Sequence, residues 1–504
     1  MSFIKHLKYN KILILFALFL ILTGCSREPI LEPEEELTEL PEDKETQIKD
    51  FVWNAMNSWY LYQEDQPLLN DARNDHIPDY AALLNAYSSP EAFFDGLLYK
   101  PNVKDKFSFI VDDYTALQNE LQGISEDFGF DYQLVRFSSS NNDLIGYVRY
   151  VLPGTPAYEA GIRRGDLFGK VNGTQLTISN YQELLFNKKA YDLGLVKLND
   201  GNFVQGNTVP MTAAIVHENP VFKSEILISN SGVTVGYLVL NGFNHLYHSE
   251  LNQAFTKFRN NNVGELVLDL RYNPGGSVIT AATLASMIFS DDPGKRFITF
   301  DYNSKHEELD NPLNFLNKVY KFNEDFEVTG TEPLTSLGLK RLFVLTSSAT
   351  ASASEAIING LNPYMDVVVI GETTVGKNVG SRTLYDTPDS DYAAKPQGNQ
   401  LHTYALQPLT TKIVNSAGFG EYENGFEPDI ELSELDYIVD LKPLGSLDEP
   451  LLHAALEYLS PTRSSRQITK NFDGSSMKLV AERKSENPFY RSLTVDGVYK
   501  INPN

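Results

Sequence analysis

The sequence holds one cysteine, Cys25, in 504 residues. Disulfides within the chain, thiolate zinc sites and a catalytic thiol inside the folded body are excluded on that count. Positive charge is also short, because 42 Lys and Arg stand against 66 Asp and Glu for a net charge of −24. So acidic a body repels phosphate backbones, which argues against nucleic acid as a partner. The eight histidines, His6, His76, His217, His245, His248, His306, His402 and His453, fall in no ligand motif. The His245-x-x-His248 pair lacks companion ligands and reads as surface or core. Neither a metal nor a cofactor is implied. Tryptophan is rare, and Trp53 and Trp59 read as core anchors. No internal repeat or heptad pattern is evident.

Long apolar runs are equally scarce. Ile12 to Ile21 follows the basic Lys5, Lys8 and Lys11 and is too short to span a bilayer comfortably, so it fits the core of a signal peptide. Leu22-Thr23-Gly24-Cys25 resembles the bacterial lipobox, which implies removal of residues 1–24 and lipid attachment to Cys25. That places the expected protein on the bacterial cell envelope, on its periplasmic or outer-surface face. Residues 25–47 are acidic and contain proline without apolar period, and read as a flexible tether.

The remaining chain is long enough for several domains, each with a sizeable core. Residues 48–112 show helical spacing, as in Ile48, Phe51, Val52, Met56 and Tyr60, and predict a small helical domain whose apolar face needs a partner. Residues 113–217 are β-rich. Within them, PGTPAYEAGIRRGDLFGKVNG resembles a PDZ domain of the bacterial protease type, in which SPA-x-x-AG-(LI)-x-x-GD-x-(IL) recurs. The resemblance implies that a peptide C-terminus joins the sheet as a strand, its carboxylate held by loop amides near Asp127, with Phe128, Gly129 and Phe130 as peptide-binding residues. The loop is less glycine-rich than usual in that family, which leaves a regulatory or lid role open.

From 218 to 440 the pattern is α/β: an apolar strand at Gly232 to Leu240, a helix at Glu250 to Asn261, a buried strand at Glu265 to Leu270 and a helix at Val278 to Phe289. Residues 290–340 interrupt the rhythm and are expected to form a strand and a helix lining a substrate groove. Residues 441–504 hold a helix near Leu451 to Leu459 and a tail of weak strand character. The overall expectation is a multidomain α/β chain with a helical N-terminal domain, a PDZ domain and an α/β core.

Two stretches carry candidate chemistry. Arg341 to Lys377 reads as strand, tight turn, helix, strand, a frame that presents a serine at the top of a sheet. Taken alone, Ser352-Ala353-Ser354-Glu355 is a capping box and needs no catalytic role. A serine nucleophile needs a base, and Lys377 follows the next strand in a Gly-Lys turn. To act as a base it must be neutral, which means lowering its pKa from about 10.4 towards 7 or 8 by burial, at roughly 4 kcal/mol. Upstream, Asp269-Leu-Arg-Tyr-Asn-Pro-Gly-Gly276 is a strand end and glycine turn that frames an anion site of backbone amides, although taken alone it reads first as an ordinary turn, the commonest use of those residues.

FVLTSSATASASEAIINGL followed by VVIGETTVGK is similar to the catalytic region of the carboxyl-terminal processing (tail-specific) serine proteases, and LVLDLRYNPGG is similar to that family's LDLR-x-NPGG. The PDZ text precedes these motifs and Gly425-Phe-Glu-Pro428-Asp429 follows them, in the family's order. The resemblance implies a crotonase/Clp-like core, Ser352 as nucleophile, Lys377 as base, and the amides of Gly276 and Ala353 as oxyanion hole. Ser381 stands where the family often has a Gln that orients the lysine, so Ser381 or Glu355 is left as the supporting group. The implied activity is cleavage of flexible or C-terminal segments of polypeptides without metal or cofactor. The alternative is a catalytically silent peptide receptor on the same fold, and the oligomeric state is not legible.

Overall fold

The computed structural model of the protein describes residues 37–136, 142–199, 202–289, 292–398, 400–459, 469–470, 472–483 and 493–501. Cys25 and the apolar run before it lie outside these residues. Asp43 caps α1 (Lys44–Trp59) by accepting from the Thr46 amide at 3.0 Å. On α1, Ile48, Phe51, Val52, Ala55 and Met56 recur at helical spacing and are buried. With α2 (Ile77–Asn85) and α3 (Pro90–Gly96) it forms the N-terminal helical unit. Its apolar face finds its partner in the α/β core, with which it shares one hydrophobic cluster. Both tryptophans are buried anchors there, and the Trp59 indole donates to the Asp391 carbonyl at 2.7 Å.

The PDZ region is an antiparallel sheet of β1 (Phe130–Arg136), β2 (Leu144–Val151), β3 (Leu167–Val171), β4 (Ala190–Asn199) and β5 (Asn202–Thr212), in that order. Two short helices, α4 (Pro156–Glu159) and α5 (Tyr181–Leu185), fall between β2 and β3 and between β3 and β4. Phe130, Tyr132, Leu134, Val148 and Phe168 fill its core.

The α/β core follows from alternating side chains. Strand β6 (Val221–Ile228) is antiparallel to β7 (Thr234–Leu240), after which come α6 (His248–Asn260), β8 (Glu265–Asp269) and α7 (Val278–Phe289). Strand β9 (Arg296–Tyr302) belongs to a second sheet. The main sheet resumes with β10 (Arg341–Thr346), α8 (Ala353–Leu361) and β11 (Asp366–Gly371), and β7, β8, β10 and β11 run parallel. Leu238, Leu266, Leu268, Leu342 and Val344 point to one face and pack with residues of α6, α7 and α8. Tyr237, Val267, Phe343, Leu345 and Ile370 point to the other, against a later helix, α9 (Pro450–Tyr458). Burial on both faces explains the near-continuous apolar text of these strands.

The second sheet contains β9, β12 (Val379–Ser381) and β13 (Leu409–Asn415). Residues 290–340 depart from expectation: besides β9 they form a hairpin, Lys318–Phe322 with Val328–Pro333, and no α-helix among the described residues. Val319 and Phe322 turn inward while Lys318 and Lys321 stay exposed, and the Asn323 side chain accepts from the Asp325 and Glu327 amides to close the turn. The tail gives two further strands. Strand β14 (Lys478–Glu482) adds to β1 of the PDZ sheet, and β15 (Leu493–Thr494) inserts between the short strand Gly276–Ser277 and β12.

Candidate active site

Chemistry in parallel sheets gathers beyond the carboxyl ends of the strands. Here β8 ends in the Asn273-Pro-Gly-Gly276 turn, β10 in the turn before α8, and β11 in the loop to Lys377. Asn273, fully buried, locks the first turn: its amide donates to the Leu240 carbonyl at 2.9 Å and its carbonyl oxygen accepts from the Gly275 amide at 2.9 Å. The Asn273 backbone carbonyl in turn accepts from Ser354 Oγ at 3.1 Å and the Ala351 amide at 3.3 Å, tying this turn to the next.

Ser352 sits where those turns meet. It is buried, with φ 66° and ψ −115°, a left-handed conformation that costs a non-glycine residue on the order of 1–3 kcal/mol. A Cβ on Gly275 would fall 2.7 Å from Ser352 Oγ, and one on Gly276 would fall 2.4 Å from the Phe243 carbonyl oxygen. Only glycine permits this approach of the turn to the serine. Ala353 opens α8, so its amide belongs to the first helical turn, where N–H groups have no intrahelical acceptor.

Glu355 holds the parts together. One carboxylate oxygen accepts from the Ser352 amide at 2.7 Å and the Lys377 amide at 2.8 Å, and the other from Thr374 Oγ1 and the Gly376 amide, both at 2.6 Å. The capping-box contact expected from sequence is present, and the same side chain also ties down the lysine turn. Burial raises the Glu355 pKa, and these hydrogen bonds oppose that shift.

Lys377 is 1% exposed. Burial lowers its pKa to about 7, against the opposite pull of Asp105 and Glu355. Its Nζ lies 4.9 Å from the centre of the Phe107 ring. Asp105 is itself buried and accepts from Tyr60 Oη at 2.7 Å, the Phe107 and Ser108 amides at 3.1 and 2.9 Å, and Ser108 Oγ at 2.6 Å. Asp105 and Phe107 were not singled out from the sequence. The buried hydroxyl of Ser381 donates to the Leu493 carbonyl at 3.3 Å.

In the PDZ region, Phe128 and Phe130 line a cleft of about 590 Å³ with Tyr132, Leu185 and Tyr191. The Gly129 amide donates to Asp127 Oδ1 at 2.7 Å. His245 and His248 are core residues, and His248 spans Tyr320 O at 2.9 Å and Thr280 Oγ1 at 2.8 Å. Burial lowers their pKa values to about 3 and about 4. No cluster of metal-ligating side chains is found among the described residues.

Comparison with known proteins adds three family matches: Peptidase family S41 over residues 234–432, the Peptidase S41 N-terminal domain over 47–109, and a PDZ domain over 147–188. A probable CtpA-like serine protease of Staphylococcus aureus is 27% identical over 362 residues, 70% of this chain and 66% of the relative. A probable CtpA-like serine protease of Staphylococcus haemolyticus is 22% identical over 82% of this chain and 74% of its own length. The chain thus spans about 66% of the first of these relatives. The crystal structure of a candidate S41 protease from Bacteroides fragilis superposes with a TM-score of 0.62 at 29% identity, covering 81% of this chain and 96% of that one.

Proposed function

Since the chain belongs to peptidase family S41, we propose that it is a serine endopeptidase in which Ser352 is the nucleophile and Lys377 the general base. The observation that carries this reading is the single carboxylate of Glu355, which accepts from the backbone amides of both residues and so fixes the serine turn against the lysine turn. The depressed pKa of Lys377 supports the same assignment, because a base must be neutral near working pH. Neutral Lys377 takes the Ser352 proton as the hydroxyl attacks a peptide carbonyl. Backbone amides of Gly276 and Ala353 stabilise the oxyanion, and Lys377 then protonates the leaving amine. Water releases the acyl enzyme.

Substrates are flexible or poorly folded polypeptide segments, which alone can enter as extended strands. The lipobox-like text at Cys25 supports a lipid-anchored protein of the cell envelope. Purified Ser352→Ala protein is expected to lose cleavage of an unfolded polypeptide and labelling by a serine-directed acylating probe. Cleavage at the unmutated rate by Ser352→Ala would overturn the assignment. Failure of the probe to add mass at Ser352 of the unmutated protein would favour the silent receptor.

A further inference from the structure

A ligand of a PDZ domain joins the sheet beside the strand that follows the binding loop. Here that strand is β1, and its outer edge carries β14. The pairing is antiparallel, Lys478 with Arg136, Leu479 with Val135, Ala481 with Leu134 and Glu482 with Gln133, and the Arg483 amide continues it by donating to the Tyr132 carbonyl at 3.1 Å. The segment therefore advances towards the 127–130 loop in the direction a bound peptide would take. Ala481 is buried in the PDZ core.

Charge complementarity fixes the segment as well. Glu482, 2% exposed, meets Arg149 at 3.5 Å, and Arg149 also donates to Asp131 at 2.5 Å. The Arg483 guanidinium pairs with Asp127. Asp127 is the residue whose carboxylate takes the Gly129 amide. The loop thus holds a carboxylate of its own at an amide expected to receive a peptide's terminal carboxylate, and turns a negative group towards the incoming strand. Such a loop selects a cation, and a chain that continues beyond Arg483 meets no obstacle from needing a free end.

We propose that the β1 edge of this PDZ domain takes an internal extended segment bearing an adjacent acidic and basic side chain, with residues 478–483 as its resident occupant, and that a polypeptide substrate enters by replacing them. The last clause rests on the protease reading above, whereas the binding preference does not.

The test uses the full chain carrying Ser352→Ala, so that binding is read without cleavage, and a fluorescein-labelled peptide of sequence SMKLVAERK. A tethered strand competes at an effective concentration of about a millimolar, so loosening the tail with Glu482→Ala and Arg483→Ala should tighten peptide binding by about tenfold or more in fluorescence anisotropy. Amidated and free-acid forms of the peptide should bind within about twofold of each other, and a peptide with Ala for its Arg should bind about tenfold more weakly. Equal affinity for the two proteins, or a strong demand for the free carboxylate, would overturn the proposal. In a second variant, Arg136→Cys with Lys478→Cys and Cys25→Ser, oxidation should lock the tail and abolish peptide binding, and reduction should restore it. Thiols that fail to pair, or a locked tail that leaves binding unchanged, would overturn the proposal even if the loosened variant does not fold. In a parallel chain with Ser352 retained, an unmutated cleavage rate in both locked and reduced forms would remove only the substrate clause.

Discussion

Two cations are buried to the same degree in this protein, and they meet opposite fates. Arg271 and Lys377 are each 1% exposed. Around Arg271 stand Asp269 at 2.9 Å, Glu449 at 2.6 Å and Glu434 at 3.2 Å, so although burial alone would lower its pKa, the three carboxylates raise it well above the usual value. Lys377 has the Phe107 ring over its Nζ, and the Glu355 carboxylate nearby is spent on the Ser352, Thr374, Gly376 and Lys377 donors. Equal burial leaves one cation charged and depresses the other, because three carboxylates bond Arg271 directly, whereas the pull of Asp105 and Glu355 on Lys377 only partly offsets its desolvation. Arg271, lying behind the Asn-Pro-Gly-Gly turn, anchors the end of β8 and keeps its charge. Lys377 is held ready to lose its proton.

The contrast is tested most severely by removing each cation. Lys377→Met should lower the hydrolysis of an unfolded polypeptide on the order of 10⁴-fold while leaving the fold intact. Arg271→Met should do the reverse in kind, lowering unfolding free energy in denaturant by about 3–5 kcal/mol, because three carboxylates lose their partner. A Lys377→Met protein that cleaves normally, or an Arg271→Met protein as stable as the parent, would erase the distinction.

Titration separates the two sites on opposite sides of neutrality. The rate should rise with pH through about 7 and fall about tenfold for each unit below, as protonated Lys377 cannot accept the serine proton. Because the folded pKa of Lys377 lies below its unfolded value, the unfolded chain binds the extra proton between about 7 and the ordinary lysine value of 10.5, and stability should rise with pH across that window, by at most about 1.4 kcal/mol per unit. Lys377→Met should flatten that slope. Glu434 behaves oppositely. Burial would raise its pKa, but Arg164 and Arg271 lower it to about 2, so its contribution is present above about 4.5 and is lost as pH falls towards 2. Urea midpoints across pH measure both.

The smallest expected effect sharpens the contrast further. Phe107→Ala admits water to Nζ and should move the acid limb of the rate profile up by about one pH unit. Phe107→Leu, which keeps water out but lacks the ring's attraction for a cation, should leave the limb in place or move it slightly down. An unchanged limb in both variants would mean that Phe107 only fills space.

Much of the fold was legible because local and tertiary signals agree. Val278 to Phe289 is a helix over the expected residues, and the strands around Leu240, Leu268 and Leu345 announce themselves by apolar text buried on both faces. The hairpin at 318–333 was hidden by its charge-rich sequence, whose inward residues, Val319 and Phe322, are too few to mark a period. At the site, Ser352 and Lys377 stood out by motif, whereas the left-handed backbone of Ser352 carries no signature in a serine. Asp105 and Phe107 were illegible because their role is conferred by docking of the N-terminal unit, a contact distant in sequence. The weak strand character of the tail did announce strands, β14 and β15, but not their places: Lys478, Leu479 and Glu482 gain their partners only from β1 and its neighbours, and two residues of β15 carry no period at all.

Strand β15 has a bearing on the order of events during synthesis. Its pairing with Gly276 and with Ser381 places Leu493 and Thr494 between segments made more than a hundred residues earlier. The sheet beside Gly276 stays open while the chain emerges and closes only after translation has passed Thr494. Assembly of this wall is therefore necessarily a late event, separated in time from the strands that carry Ser352 and Lys377.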